Sequence, residues 1–175
     1  DIALLRQQIG VCKQIITGLS RRAGAERLDN VESVPADRWL DSLRQHWHAA
    51  RPQAGSRLII ASDGSAPSIA ADPRLEQAIL NLLNNAANAT PRPLDIRLSW
   101  CSENLCIDIR DHGPGFPSEI LATGGQTSFP AHERGSGVGL ILTRTAIEQL
   151  GGRLTLFNPD DGGALARIEL PRAKP

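Results

Sequence analysis

A chain of 175 residues is long enough for one full hydrophobic core and a short appended element. Its 19 basic and 19 acidic side chains cancel, excluding a global field that would draw it to nucleic acid or to an anionic membrane. Three cysteines at unrelated spacings fit neither a disulfide framework nor a zinc site and point to a reducing compartment, and the apolar runs fall short of a membrane span or a signal peptide.

The chain contains no methionine and starts in helical register at Asp1-Ile2-Ala3-Leu4-Leu5, so a piece excised from a longer protein is expected. Ile2, Leu5, Ile9, Cys12, Ile16 and Leu19 recur at alternating intervals of three and four, the spacing of a heptad seam. A helix over 1–24 is predicted, its seam facing another helix or, alternatively, the domain that follows. Arg21-Arg22 and Gly24 end it, and a polar linker over 25–30 leads into a domain over 31–175.

A short strand is predicted near 31–34, then a helix from Pro35 through Trp39, Leu40, Leu43 and Trp47. Segments 57–61 and 67–71 read as two strands around the turn Asp63-Gly64. Asp72-Pro73 opens a helix as cap and first helical residue, and Pro91 and Pro93 stop it near Thr90. Segments 94–100 and 105–109 alternate apolar and polar residues, as strands with one buried face do. A glycine-rich loop over 113–137, a helix over 138–150 ended by Gly151-Gly152, and a hairpin over 153–157 and 165–170 around Asp161-Gly162-Gly163 complete the chain. The fold class is α+β: a sandwich of a mostly antiparallel sheet with helices on one face.

Three blocks carry the chemistry. On the helix after Asp72, Leu75, Ile79, Leu82, Ala86 and Ala89 form the buried stripe, while Asn81, Asn85 and Asn88 make a second stripe at i, i+4 and i+7. Asparagine is a mediocre helix residue, and its amide oxygen is a hard neutral ligand suited to Mg2+ already held by phosphates; a solvated polar face is the plain alternative. Asp111, at a strand end before Gly113 and Gly115, can accept a hydrogen bond from an exocyclic amine such as adenine N6, although the same text also makes an ordinary turn. Gly135, Gly137 and Gly139 with Leu140 lead into a helix N-terminus, a natural phosphate site or simply a flexible loop. They form neither a Walker loop nor a dinucleotide fingerprint.

In this order the three blocks resemble the N, G1 and G2 boxes of the GHKL ATP-binding superfamily, most closely those of bacterial sensor histidine kinases. The resemblance covers about 31–171 and implies the Bergerat α/β sandwich, ATP and Mg2+ as ligands, Asn85 on the metal, Asp111 on adenine, and a lid over 116–136. GHKL ATPases carry a glutamate one turn before the metal asparagine to activate water; here Asn81 stands there and cannot act as a base. The first helix is similar to the second dimerisation helix of these kinases. Its text at Leu4-Leu5-Arg6 and Cys12-Lys13-Gln14-Ile15-Ile16 resembles the redox-responsive RegB/PrrB group, which makes Cys12 a redox candidate, or else a buried thiol of the seam. Cys101 and Cys106 are expected in strands with structural roles.

The sequence departs from that pattern in three places. The phosphoacceptor histidine motif is absent: His132-Glu133 lies in the glycine-rich loop, and His46, His48 and His112 lack the context. No catalytic histidine is assigned, and the chain alone is not expected to phosphorylate itself. Asn88 replaces a basic residue that many kinases place three after the metal asparagine, with Arg92 or Arg134 as substitutes, and the lid has Phe129 alone. The expected function is the ATP-binding catalytic domain of a homodimeric sensor kinase, cytoplasmic and attached to the inner membrane through segments outside this sequence. Its partners are the kinase's own dimerisation helices and a response regulator. The alternatives are an ATPase of the chaperone or topoisomerase kind and a nucleotide-insensitive pseudokinase module.

Overall fold

The computed structural model describes residues 33–124 and 138–172. The predicted dimerisation helix, the linker and residues 125–137 of the glycine-rich loop lie outside them.

β1 (Ser33–Pro35) leads into α1 (Ala36–Ala50), which buries Trp39, Leu40, Leu43 and Trp47 at helical spacing. β2 (Ser56–Ile60) and β3 (Ser68–Ala70) follow, but they do not pair with each other. β3 runs antiparallel to β1, while β2 lies parallel to β4 (Leu94–Trp100), correcting the expectation of two strands folded about Asp63-Gly64. The intervening residues 61–67 exceed a tight hairpin loop, and Ala36 N–H donates to Pro67 O at 2.9 Å, drawing β3 to the start of α1. A parallel pair needs a crossover, which α2 (Pro73–Ala89) supplies.

The main sheet has the order β2-β4-β5-β7-β6, with β5 at Asn104–Arg110, β6 at Arg153–Phe157 and β7 at Leu165–Pro171. All pairings but β2–β4 are antiparallel, and the predicted closing hairpin is β6–β7. Alternation sorts the two faces. Leu94, Ile96 and Leu98, Leu105, Ile107 and Ile109, and Ile168 point into one core shared with α1, α2 and α4 (Val138–Gln149). The opposite face is charged: Arg57 lies across from Asp95, and Arg167 across from Asp108, each pair bonded at 2.7–2.8 Å. The helices therefore cover one face, as the sequence pattern requires.

Two local readings are corrected. The predicted loop contains a short helix, α3 (Ser118–Thr123), ended by Gly124 in the left-handed region at φ 57°. Cys101 lies one residue beyond β4 and is exposed, whereas Cys106 is in β5. Among the described residues, no helix is long and apolar enough to cross a membrane.

Candidate nucleotide-binding site

The asparagine-bearing helix α2 starts where the sequence places it. Asp72 accepts from Arg74 N–H at 2.8 Å and Pro73 opens the first turn. Its apolar stripe is anchored by Ile79 and Leu83, both fully buried, and this fixes the direction of every asparagine. Asn84 turns toward α1 and accepts from Trp47 Nε1 at 3.0 Å. Asn81 is buried and accepts from Gln77 Nε2 at 3.1 Å. Asn88 accepts from both terminal nitrogens of Arg51, each at 3.0 Å. Asn85 is exposed, and its amide makes no hydrogen bond among the described residues. One amide oxygen of the cluster is thus left for a ligand.

Asp111 follows the last residue of β5 and is only 5% exposed. Its backbone N–H donates to Ala164 O at 2.9 Å, and its Oδ1 accepts from Gly113 N at 2.8 Å and Ala164 N at 3.2 Å. All of its side-chain bonds converge on Oδ1, so Oδ2 has no partner among the described residues. Such a carboxylate is held in one orientation with one acceptor oxygen to spare. The glycines make this possible. A Cβ on Gly163 (φ 82°) would fall 2.1 Å from Asp111 O, and one on Gly113 would fall 2.8 Å from Ala89 O. The second contact seats the Asp111 loop on the last residue of α2, one turn beyond Asn85. Gly115, at φ 87°, packs against Asn158, whose amide accepts from Phe116 N at 2.7 Å and donates to Phe116 O at 2.9 Å.

Of the third block, Gly135 and Gly137 lie outside the described residues, as do Cys12, Phe129, His132 and Arg134. Gly139 sits in the first turn of α4 with nothing within 4 Å of a Cβ there, while Leu140 is buried in the core beneath it. Arg92 lines a cleft of about 490 Å3 with Arg57 and His112; the cation found at Asn88 is Arg51. His112 itself bonds to Asp95 at 3.1 Å on the outer face. Sequence reasoning gave no site role to Arg51 or Asn158, and placed Trp47 only on the apolar stripe of its helix; the contacts that bring these residues to the site join elements distant in sequence. The two described cysteines differ in character. Backbone N–H groups of Glu103 and Asn104 hold the Cys101 thiol below its ordinary value, whereas burial pushes Cys106 up.

The donor set fits a magnesium nucleotide: among the described residues, a neutral amide oxygen without a partner and a carboxylate with one oxygen that has none. Residues 70–174 match the family described as histidine kinase-, DNA gyrase B- and HSP90-like ATPase. The sensor protein CseC of Streptomyces avermitilis is 40% identical over 103 residues, covering 55% of this chain and 20% of that protein. The sensor histidine kinase RegB of Cereibacter sphaeroides is 26% identical over 181 residues, covering 92% of this chain and 37% of that protein. The chain therefore spans about a fifth to somewhat over a third of these curated relatives. Among solved structures, the mycobacterial sensor histidine kinase MprB superposes with a TM-score of 0.67 at 23% identity, covering 83% of this chain and 100% of that one. Full-length ShkA in complex with AMPPNP superposes with a TM-score of 0.65 at 26% identity, covering 83% of this chain and 32% of that one. The chain belongs to the histidine kinase-, DNA gyrase B- and HSP90-like ATPase family and carries the ATP-binding catalytic domain of the sensor histidine kinases.

Proposed function

We propose that this chain binds ATP with Mg2+ and presents the γ-phosphate to a histidine on another segment of a dimeric sensor kinase, for relay to a response regulator. The observation that carries the reading is that the Asp111 loop seats on the last residue of α2, one turn beyond Asn85, and that each of the two side chains has an oxygen with no partner among the described residues. Asp111 Oδ2 accepts from the exocyclic amine of adenine, a donor that guanine lacks at that position. Gly113 and Gly115 let the backbone come close to the ring, and Gly135, Gly137 and Gly139 are proposed to supply backbone N–H groups to the phosphates. Asn85 would hold Mg2+, and the ion would supply charge neutralisation to the transferred group. Asn81, bonded to Gln77, offers no base for water, so transfer is favoured over hydrolysis. The domain's contribution is positioning and electrostatics.

Residues 1–24 are proposed as the second dimerisation helix, which the alignment with RegB over 92% of the chain supports. The kinase is placed at the inner membrane, with this domain on the cytoplasmic side. Cys12 on that helix is proposed as a redox switch. Mild oxidation should give a covalent dimer on non-reducing gels, and a dimer that persists in Cys12→Ser would remove that role.

Calorimetry tests the site. ATP should bind only with Mg2+, GTP should not compete, and Asp111→Ala should lose at least about tenfold in affinity. Binding of GTP as tight as that of ATP would refute the role given to Asp111.

A further inference from the structure

We propose that Arg51, carried by the C-terminal end of α1 and forked onto Asn88, is the cation that contacts the nucleotide's phosphates in this chain. The inference rests on the nucleotide reading above and adds a residue from an element that contains none of the three sequence blocks. Both terminal nitrogens of Arg51 donate to Asn88 Oδ1 at 3.0 Å. Asn88 follows Asn85 by three positions, so the two side chains are neighbours on one flank of α2, with Cβ atoms roughly 5–6 Å apart. The fork therefore sets a permanent positive charge beside the amide proposed for the metal.

Its charge balance points the same way. Arg57, Arg74 and Arg167 each face a carboxylate within 2.8 Å. Arg51, half-buried, faces only a neutral amide, and no carboxylate lies within ion-pair distance among the described residues. A guanidinium has five N–H donors, and two of them serve Asn88. Those remaining suit the paired oxygens of a phosphate.

The position is built rather than incidental. Arg51 N–H donates to Trp47 O at 3.0 Å, closing the last turn of α1. Trp47 reaches Asn84, and Arg51 reaches Asn88, one helical turn further along both helices. Two bonds one turn apart thus join the C-terminal end of α1 to α2, and that join delivers the cation.

The test is calorimetry on the 175-residue chain with Mg-ATP and with adenosine. Arg51→Ala should weaken ATP about tenfold and leave adenosine unchanged. Arg51→Gln, which can still donate to Asn88 but carries no charge, should show the same loss and guards against a merely structural effect. Adding Asn88→Lys to Arg51→Ala should restore ATP affinity. Unchanged ATP affinity in both Arg51 variants, or an equal fall for ATP and adenosine, overturns the proposal. If wild-type binding is lost in Asp111→Ala yet unmoved in Arg51→Ala, only this inference falls. A wild-type chain that binds no ATP removes the nucleotide reading with it.

Discussion

Asp111 lies in the loop seated on the end of α2 and Asn85 one turn before that end, yet the molecule fixes them by different means. Asp111 is held by backbone: its neighbours are the N–H groups of Gly113 and Ala164, and the space around it exists because Gly113 and Gly163 lack a Cβ. Asn85 is held only by the helix that carries it, and the groups around it are side chains, Gln77 of the same helix on Asn81, and Trp47 and Arg51 from α1 on Asn84 and Asn88. A backbone cradle has few chemical solutions, because any side chain added to it collides. A side-chain cluster has many, because a group lost at one position can be supplied from a neighbouring element. The asparagine at position 88 and the arginine at position 51 illustrate the second case.

The largest effect is expected where the cradle is tightest. Gly163→Ala would place a methyl 2.1 Å from Asp111 O at a residue whose φ is 82°. Relief requires the β6–β7 turn to move away from Asp111, at a cost of about 3 kcal/mol. Urea unfolding should show that loss, and adenine affinity should fall with it. An unshifted urea midpoint would break the comparison, because the backbone half of the site would then be as adaptable as the other.

The contrast also explains what the sequence made legible. Asn85, Asp111 and the glycines proposed for the nucleotide stood out because each sits in its own local element of the sequence: a stripe on one helix, a strand end, a turn. Most strands and helices were readable for the same reason, since alternation and helical spacing are local. Arg51, Trp47 and Asn158 were not, because their roles depend on how α1 lies beside α2, or on how the residue after β6 meets the loop after β5. The pairing of β2 failed on the same ground. Asp63-Gly64 is a true local turn signal, with Gly64 at φ 82°, but the choice of strand partner is a property of the whole sheet. α3 is different: Pro117 before it and Gly124 after it are ordinary start and stop signals that the surrounding glycines obscured.

Within the side-chain half, the asparagines should separate by task. Asn85→Ala removes an exposed amide with no partner among the described residues, so the unfolding midpoint should stay within about 0.5 kcal/mol of the parent. Mg-dependent ATP affinity should nevertheless drop by at least about tenfold. A variant that is destabilised yet still binds Mg-ATP as before would reverse the roles assigned to this flank.

The smallest effect should come from the join between the two helices. Trp47→Phe keeps most of the buried ring but removes the Nε1–H that reaches Asn84 at 3.0 Å. The bond is partly solvent-accessible, so water can replace part of it, and a loss of about 0.5–1.5 kcal/mol is expected. Adenosine affinity should not move, because the Asp111 cradle takes nothing from α1. ATP affinity gives the finer measurement. If the join only stabilises the fold, ATP binding stays unchanged; if it also carries Arg51 to Asn88, ATP weakens by a small factor while adenosine does not. That second pattern would make α1 part of the phosphate half of the site, joined to it through packing rather than through any motif.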